Sequence, residues 1–334
     1  MYASDWRGSA QFDAAQPFPV IREATSVLLP RRSVAATARR LAEEHGCDRV
    51  WFGAAAPLGL LGKGLGRRAV ALTHGHEVGW AALPLARGAL RRIAAGCDVM
   101  TYLTEYQRER LAPVVGRLCE LRRLTPGVDV DTFHPSADGS EVRARYGLTD
   151  RPVIVCVSRL VPRKGQDTLV RALPLIRKAI PDAALLLVGG GPHKATIQRL
   201  ARDLRVDQHV AMTGRTEWAD LPAHFAAGDV FAMPCRTRNF GLDVEGLGMV
   251  FLEASATGLP VVAGDSGGAP DAIREGETGF VVPGRDVAAA ADRIIALLKD
   301  PALARKMGAA GREWTVSEWT WDRRARELGA LLKG

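Results

Sequence analysis

The sequence has no apolar run that approaches the roughly 18–20 residues of a membrane-spanning helix. Its first residues, MYASDWRGSAQF, lack the basic and then apolar layout of a secretion signal. The five cysteines are scattered, odd in number and include no CxxC pair, so neither a disulfide framework nor a zinc site is indicated. No internal repeat or low-complexity segment is evident. We therefore expect a protein of the reducing cytosol.

The composition is that of an ordinary soluble chain with an excess of positive charge. The 334 residues suggest about two domains, and 47% hydrophobic and 25% charged residues are typical of globular proteins. Of the net charge of +8, residues 1–135 contribute +5, from 18 Lys and Arg against 13 Asp and Glu. Nucleic acid, an anionic membrane surface or phosphate-bearing small molecules are the partners compatible with this excess.

Short β-branched runs alternate with longer amphipathic segments, which is the pattern of βα units around a parallel sheet. The predicted strands are 49–53, 69–73, 98–103, 119–127, 153–158, 184–190, 209–214, 230–234, 260–264 and 279–283. Pro, Gly and acidic residues interrupt the pattern at 128–147, which we interpret as the inter-domain connection. We predict an N-terminal domain over 1–135, a C-terminal domain over 136–316 and a last helix over 317–334, with Trp314, Trp319 and Trp321 as packing anchors.

The start of the predicted N-terminal domain is unusual. In the doubly wound strand order, the first strand lies in the middle of the sheet and its Gly-rich turn faces the ligand. This sequence opens directly on MYASDW, with no such strand and turn before it. We therefore expect an incomplete N-terminal domain, either because the domain is irregular or because the start codon is assigned too far downstream.

Two cations follow the predicted strand 153–158, in the stretch VIVCVSRLVPRKGQ. Ligands of open α/β sheets lie beyond the carboxyl ends of the strands, and Arg159 and Lys164 fall in that region. Arginine binds a phosphate group bidentately and lysine adds a point charge, so the two residues suit a phosphate ligand. A basic, solvated loop is the alternative for these residues taken alone.

The stretch EGLGMVFLEASATGLPVV, residues 245–262, carries two glutamates on either side of an apolar run. The residues from Gly248 to Phe251 are predicted to lead into a short helix that ends near Gly258, and the free N–H groups at such a helix start bind anions. Glu253, predicted in the first helical turn, suits the hydroxyls of a ribose, and Glu245 would meet hydroxyls at the ligand's other end. We interpret the pair as a clamp on two sugars joined by phosphates; helix-dipole stabilisation or solvation is the alternative.

Five segments together carry a family resemblance: SRLVPRKG, LLLVGGGP, PGVDVDTFHP, EGLGMVFLEASATGLPVV and SGGAPDAIREGETGFVVP. They resemble the retaining GT-B glycosyltransferases of family 4, over about residues 70–334. The stretch PCRTRNFGLDVEGLGMVFLEA is most similar to GDP-mannose-dependent mannosyltransferases that act on phosphatidylinositol mannosides. The resemblance implies an α/β GT-B fold, in which two Rossmann-like doubly wound domains face a cleft.

The resemblance also implies a role for each candidate site residue. Arg159 and Lys164 would bind the nucleotide diphosphate. Glu253 would hold the ribose, and Glu245 the hydroxyls of the transferred sugar. The other implied contacts are the backbone of Gly248, Met249 and Val250 with the sugar and phosphates, Thr216 with the base, and His74 over the donor sugar near its anomeric carbon. The predicted catalytic set is His74, Glu245, Arg159 and Lys164; no cofactor is required, no metal site is predicted and a divalent ion is optional.

Without the family, His74 has other interpretations. His74, His76 and Glu77, in AVALTHGHEVGW, could form a metal cluster, because an H-x-H on a strand points both rings one way. No convincing third ligand lies close in the sequence, and an ordinary loop histidine is the other alternative. His76 is the second choice for the role over the donor sugar.

Two further motifs imitate ligand sites. DVD at 129–131 resembles the Asp-x-Asp that holds a divalent ion in the other glycosyltransferase fold, but it lies in the predicted connection and we interpret it as structural. VGGGP at 188–192 resembles a dinucleotide fingerprint, but the full G-x-G-x-x-G is absent. It is therefore weak support for NAD binding.

The resemblance predicts a retaining transferase that moves a mannosyl unit from GDP-mannose to a phosphatidylinositol (mannoside) lipid. We expect a cytoplasmic, peripheral protein on the inner face of the cell membrane, with an anionic lipid acceptor, an anionic membrane surface and no nucleic acid as partner. In PRRSVAATARRLAEEHG, residues Arg31, Arg32, Arg39 and Arg40 fall roughly on helical spacing. They predict a basic surface helix that either rests on a membrane or packs on its own domain.

Three alternatives to this function stay open from the sequence. The chain could be N-terminally truncated, binding a nucleotide sugar without transferring it. It could be a family member that uses another donor, such as UDP-glucose or UDP-GlcNAc. A nicotinamide enzyme is the third alternative, which predicts NAD binding and no response to GDP-mannose.

Overall fold

A computed structural model of the protein describes all residues from 1 to 334, and they form two compact units. Unit 1 comprises Met1–Leu103, Gln107–Leu124 and Glu327–Gly334, and unit 2 comprises Thr104–Tyr106 and Thr125–Arg326. The main change of unit falls after Leu124, upstream of the predicted boundary at residue 135. The end of the last helix belongs to unit 1.

Unit 1 contains six parallel strands in two sheets. Strand β1 (Tyr2–Ser4) pairs with β2 (Ile21–Glu23), and a four-stranded sheet has the order β3 (Arg49–Phe52), β4 (Arg68–Ala71), β5 (Val99–Tyr102) and β6 (Glu120–Arg123). The helices are α1 (Ser9–Ala14), α2 (Arg32–Glu44), α3 (Gly62–Leu65), α4 (Glu77–Ala82), α5 (Pro84–Ala94) and α6 (Glu105–Val115), with a short 3₁₀-helix at Leu58–Leu61. Strands β3 to β6 are the four predicted for this half. β1 and β2 were not predicted, because three residues are too few to show a strand pattern.

The two sheets of unit 1 are not continuous. β1 pairs only with β2, and β3 pairs only with β4, so each keeps one unpaired edge. An apolar cavity of about 440 Å³ is lined by residues of β1, β2, β3 and α2, among them Tyr2, Ile21 and Val50. No strand among the described residues joins the two sheets across it.

Helix α2 turns its apolar side toward the interior of unit 1. Val34 is buried, and Val34, Ala38 and Leu41 line the apolar cavity. Arg39 and Arg40 are exposed on the other side, where Arg39 Nε donates to the Gly64 carbonyl at 2.8 Å and Arg40 pairs with a glutamate one turn on. Of the two predicted interpretations of this basic helix, the structure supports packing on its own domain, because the apolar side faces inward.

Unit 2 is a six-stranded parallel sheet covered by helices. Its order is β12 (Gly279–Val282), β11 (Val261–Gly264), β10 (Val230–Met233), β7 (Val153–Val157), β8 (Ala184–Val188) and β9 (Val210–Gly214). The helices are α7 (Ser140–Arg145), α8 (Gln166–Ala179), α9 (Lys194–Asp203), α10 (Leu221–Ala226), α11 (Met249–Ala256), α12 (Val287–Lys299) and α13 (Pro301–Glu318). The last helix, α14 (Trp321–Lys333), begins in unit 2 and ends in unit 1. Short 3₁₀-helices lie at Pro162–Lys164, Asp207–His209, Trp218–Asp220, Asn239–Gly241 and Ala269–Ala272. All six strands predicted for this half are present.

The central strands of unit 2 are buried on both faces. Every residue of β7 and β8 is buried, and their valines, isoleucine and leucines show no alternation with polar residues. This is the pattern of a parallel sheet whose crossover helices cover both faces. Phe225, Phe231 and Phe251 extend the core from α10 through β10 to α11, with ring centroids 5.7 and 5.9 Å apart.

The segment 128–147, predicted as the inter-domain connection, is a packed part of unit 2. Phe133 and Val142 are buried in the core of unit 2, and residues 140–145 form α7. Asp129, from the DVD motif, accepts hydrogen bonds from the Thr132 hydroxyl at 2.6 Å and from the Thr132 N–H at 3.0 Å. The Pro and acidic residues thus shape a compact turn instead of a linker, which is a local structural role for the motif.

The C-terminal residues form two helices, where one beginning at residue 317 was predicted. The break lies between α13 and α14, and no helix of the structure is both long and apolar enough to cross a membrane. The Trp314 and Trp319 rings pack edge to face at 5.4 Å, as predicted for packing anchors. Trp321 does not fit that prediction, because its side chain is 57% exposed.

Arg312 connects three parts of unit 2, and its loss should destabilise the fold. Its Nη1 lies 2.8 Å from the carbonyl oxygens of Val130 and Phe133 and 2.9 Å from that of Ala256. We expect Arg312→Met, which keeps the aliphatic stem, to lower the free energy of unfolding by about 3 kcal/mol, since three carbonyl groups lose a charged donor. Urea unfolding measures the change. Arg199→Met, on exposed α9, is the control; an equal effect there would contradict the assignment.

Candidate active site

The predicted phosphate and sugar contacts of unit 2 lie on loops at one edge of its sheet. All six strands run parallel, so the loops that follow them emerge at the same edge. β7 lies between β10 and β8, and Lys164 follows β7 while Glu245 follows β10. Thr216 follows β9, two strands away from β7 on the other side.

Lys164 and Glu245 form a close ion pair. Lys164 Nζ lies 2.7 Å from Glu245 Oε2, and the side chains are only 12% and 8% exposed. Charges so far removed from water depend on each other, because removing one partner leaves the other uncompensated. Sequence reasoning selected both residues, and the structure joins them at the sheet edge.

A second set of charges surrounds this pair and was not predicted. Arg163 Nε lies 3.9 Å from Glu245 Oε2, and Arg163 Nη1 lies 3.4 Å from Asp243. Asp243 also pairs with Arg238 at 3.6 Å. In the sequence, Arg163 is next to Lys164 and Asp243 lies two positions before Glu245. This nearness to predicted site residues was the one sequence signal that could have identified them.

Hydrogen bonds from the neighbouring loops fix the backbone of Glu245. Its N–H donates to Ser266 Oγ at 3.1 Å, and its carbonyl accepts from the Gly268 N–H at 2.9 Å. Nine residues upstream, Arg236 Nη2 donates to both carboxylate oxygens of Asp167, at 2.8 and 2.9 Å. The loop after β10 is therefore held from both sides, by the loop after β11 and by the first turn of α8.

Helix α11 begins at Met249, inside the stretch Gly248 to Phe251 that was predicted to lead into it, and Gly248 precedes the helix. Gly248 has φ 81°, and a Cβ there would lie 2.5 Å from the Phe251 ring and 3.5 Å from Glu245 Cγ. Only glycine fits this conformation and this space. The N–H groups of Met249 and Val250 come first in the helix and have no acceptor within it. They remain available to an anion beside Glu245.

Glu253 lies in the second turn of α11, not in the first as predicted. The helix starts at Met249, and with 3.6 residues per turn the fifth residue has passed the first turn. Burial alone raises the pKa of the Glu253 carboxyl from its ordinary 4.5 to about 7. No positively charged side chain of the protein compensates the charge of this carboxylate. Hydroxyl groups of a ligand that donate to it would therefore favour its charged form.

Arg159 and Thr216 do not contact the Lys164–Glu245 ion pair. The Arg159 side chain is exposed, and its carbonyl accepts from Gln166 Nε2 at 3.0 Å, which ties the loop after β7 to the start of α8. The Thr216 hydroxyl lies 3.1 Å from that of Thr213. The structure thus places both at the same sheet edge as Lys164 and Glu245 but shows no contact of either with that pair.

The VGGGP motif serves the packing of two loops. A Cβ on Gly189 would lie 2.3 Å from the Ser158 carbonyl oxygen, and one on Gly191 would lie 2.3 Å from that of Leu160. The glycines are therefore needed for the close approach of the loops after β7 and β8. This accounts for them without a dinucleotide.

His74 lies in unit 1, after β4, in a loop shaped by Glu77. The Glu77 side chain is fully buried, and its Oε2 accepts from the N–H groups of His74 at 3.0 Å and Gly75 at 3.1 Å. The Nε2 atoms of His74 and His76 both lie within hydrogen-bond distance of backbone carbonyl oxygens, at Gly53 and Ala56. A carbonyl only accepts, so both Nε2 nitrogens donate. His74, His76 and Glu77 do not form a group of side chains that could hold a metal ion.

Comparison with known proteins establishes the family. A family model described as Glycosyl transferases group 1 matches residues 139–314, which include every site residue of unit 2. The chain belongs to this glycosyltransferase family. The resemblance predicted from the sequence is confirmed, and the protein is a glycosyltransferase.

Two relatives of this glycosyltransferase match nearly all of its length. The GDP-mannose-dependent alpha-(1-6)-phosphatidylinositol monomannoside mannosyltransferase of Mycolicibacterium smegmatis is 53% identical, over 100% of this chain and 90% of that protein. The GDP-mannose-dependent monoacylated alpha-(1-6)-phosphatidylinositol monomannoside mannosyltransferase of Corynebacterium glutamicum is 46% identical, over 96% of this chain and 86% of that protein. The predicted similarity to this group of mannosyltransferases is therefore confirmed.

A solved structure supports the fold of the glycosyltransferase. Sucrose-phosphate synthase from Thermosynechococcus elongatus superposes with a TM-score of 0.76 at 25% identity, over 94% of this chain and 82% of that one. The predicted GT-B fold class, with two Rossmann-like α/β domains, is confirmed.

The buried carboxyl of Glu253 should cost the folded protein stability at neutral pH. The folded pKa of about 7 exceeds the ordinary 4.5, so the folded state binds more protons than the unfolded state, and stability is lost as pH rises to about 7. Glu253→Gln removes this loss. We expect the stability of the variant relative to wild type to grow by about 2–3 kcal/mol between pH 5 and pH 8, in denaturant titrations. A difference that does not change with pH would contradict the burial of this group.

Glu77 should position the His74 loop through the two N–H groups that it accepts. We expect Glu77→Ala to lower the free energy of unfolding by about 1–3 kcal/mol, because two part-buried N–H groups lose their acceptor. Glu77→Gln keeps an acceptor oxygen and should retain most of the stability. Thermal unfolding of both variants, together with transferase rates, measures the effect. Equal losses in the two variants would show that charge, and not the acceptor, matters.

Proposed function

We propose that this glycosyltransferase moves a mannosyl unit from GDP-mannose to a phosphatidylinositol (mannoside) lipid, with retention at the anomeric carbon. The observation that carries the proposal is the buried Lys164–Glu245 pair beside the free N–H groups of α11, at the ligand edge of the sheet. The names of the relatives of 53% and 46% identity support GDP-mannose as donor and the lipid as acceptor.

The geometry suits a leaving diphosphate. Negative charge builds on the diphosphate as the glycosidic bond breaks, and preorganised donors stabilise it. Lys164, Arg159 and the N–H groups at the start of α11 are the donors in our proposal. Since these groups already supply positive charge, we propose that no cofactor is needed and that a divalent ion is optional.

The two glutamates take different parts of the donor in this proposal. Glu245, fixed by Ser266 and Gly268 through its backbone, contacts hydroxyls of the transferred mannose. Glu253 accepts from the ribose hydroxyls, which requires its ionised form. Because burial raises the pKa of Glu253 to about 7, donor affinity should rise with pH through that range. Thr216 as a base contact and His74 as a contact of the donor sugar stay proposals from the family resemblance.

An anionic lipid acceptor gives the positive charge of residues 1–135 a purpose. We propose that the protein acts at the inner face of the cell membrane as a peripheral enzyme. Since the apolar side of α2 faces the interior of unit 1, contact with the membrane through this helix would use its exposed arginines, Arg39 and Arg40 among them. Such contact is electrostatic and weakens with salt.

Donor binding and transfer test the proposal with one variant chosen for its exposure. Arg159 is exposed and unpaired in the structure, so Arg159→Ala should fold normally while the transfer rate falls about 10²–10³-fold. Lys178→Ala, an exposed cation at the far end of α8, is the matched control and should change neither. Calorimetry with GDP-mannose, UDP-glucose and NAD gives the affinities, and mannosyl transfer to the lipid gives the rates.

Each alternative function has its own outcome in this experiment. Tighter binding of UDP-glucose than of GDP-mannose would overturn the donor, and binding of NAD alone would indicate a nicotinamide enzyme. GDP-mannose binding without transfer would indicate a chain that binds the donor but does not react. Equal rates for Arg159→Ala and Lys178→Ala would remove Arg159 from the site.

A further inference from the structure

The loop between β10 and α11 carries an apolar tip on a closed base. The backbone of Arg238 pairs with that of Asp243, with N–H to carbonyl distances of 2.9 and 3.2 Å, and residues Asn239–Gly241 form a 3₁₀ turn between them. Phe240 at the tip is fully exposed, and Leu242 is 60% exposed. We call residues 238–243 the tip loop.

The tip loop holds its phenylalanine in a strained conformation. Asn239 has φ 49° and Phe240 has φ 53°, both in the left-handed region. A bulky residue there is a genuine outlier, and such strain costs of the order of a kcal/mol or more for each residue. Glycine would adopt this conformation without strain. Phe240 is therefore unfavourable for the folded chain on two counts, by backbone conformation and by exposure to water.

The base of the tip loop belongs to the charged network of the site. Asp243 pairs with Arg163 at 3.4 Å and with Arg238 at 3.6 Å, and Arg163 also approaches Glu245 at 3.9 Å. Only one residue, Val244, separates the base of the loop from Glu245. The network therefore fixes the apolar tip beside the residues that we propose to hold the transferred sugar.

We infer that Phe240 and Leu242 contact the hydrocarbon part of the lipid acceptor, at the surface of the membrane that carries it. This inference rests on the proposed function. An amphiphile presents its hydroxyl to the sugar site and apolar chains beyond it, and two exposed apolar side chains beside that site match this arrangement. Arg238 at the loop base is partly exposed and complements an anionic headgroup. Burial of the two side chains in lipid offsets their exposure to water.

The test uses a substitution that should relieve strain while removing the contact. Phe240→Gly is expected to leave GDP-mannose affinity unchanged and to leave the melting temperature equal or higher, because glycine fits φ 53°. For the long-chain acceptor in anionic vesicles, KM should rise at least about tenfold, the loss expected for one buried phenylalanine. For the deacylated, water-soluble form of the same acceptor, KM should stay unchanged.

Two further variants serve as matched controls. Phe240→Leu keeps an apolar side chain and should restore most of the vesicle activity that Phe240→Gly loses. Leu175→Ser removes another exposed apolar residue of unit 2, on α8, and should change neither acceptor's KM. Equal rises of KM for both acceptors in Phe240→Gly would overturn the inference in favour of a role in shaping the site. No rise for either acceptor would overturn it as well.

Failure of the inference and failure of the proposed function are distinguishable. If wild type transfers no mannose to either acceptor, the proposed function fails, and cosedimentation with the acceptor-bearing vesicles still tests the tip loop. Weaker cosedimentation of Phe240→Gly than of wild type and Leu175→Ser supports lipid contact. Equal cosedimentation of all three overturns it.

Discussion

The ion pair between Lys164 and Glu245 is the interaction on which the site depends. It joins the loops after two adjacent strands, β7 and β10, and removes both charges almost completely from water. Neither charge is tolerable alone at such burial, so the two loops must close together in the folded state. In the proposed function, a diphosphate or a sugar hydroxyl would meet a lysine and a carboxylate already held in place, which would lower the reorganisation that binding requires.

The surrounding polar network keeps this pair in position. Ser266 and Gly268 hold the backbone of Glu245, and the Arg236–Asp167 pair holds the upstream part of the same loop against α8. The loops after three neighbouring strands of the sheet, β11, β10 and β7, therefore contribute to the position of the Glu245 carboxylate. In a parallel sheet this convergence follows from the direction of the strands, because all of their carboxyl ends meet at one edge.

Several features of unit 2 reduce stability and are placed at the same edge. Glu253 keeps a carboxyl group in surroundings that raise its pKa to about 7, and Phe240 keeps a bulky side chain at positive φ and in water. The fully buried β7 and β8 provide the stability that offsets such costs. Strained backbone and buried charge concentrate at functional sites. The two unfavourable features, Glu253 and Phe240, therefore favour a functional role for this edge of the sheet.

Local sequence patterns were enough to predict the parallel α/β architecture, the family and the candidate site residues Lys164 and Glu245, which the structure brings together. Hydrophobic runs and glycine positions are local signals, so all four strands from β3 to β6, all six of unit 2 and a short helix ending near Gly258 were predictable. Tertiary structure alone decided the rest. The structure places Arg163 and Asp243 beside the Lys164–Glu245 pair and makes 128–147 a packed part of unit 2. It also shows that Glu253 lies in the second turn of α11 and that the apolar side of α2 faces the interior of unit 1. Each of these depends on contacts between residues distant in the chain, and local sequence patterns do not record which distant groups meet.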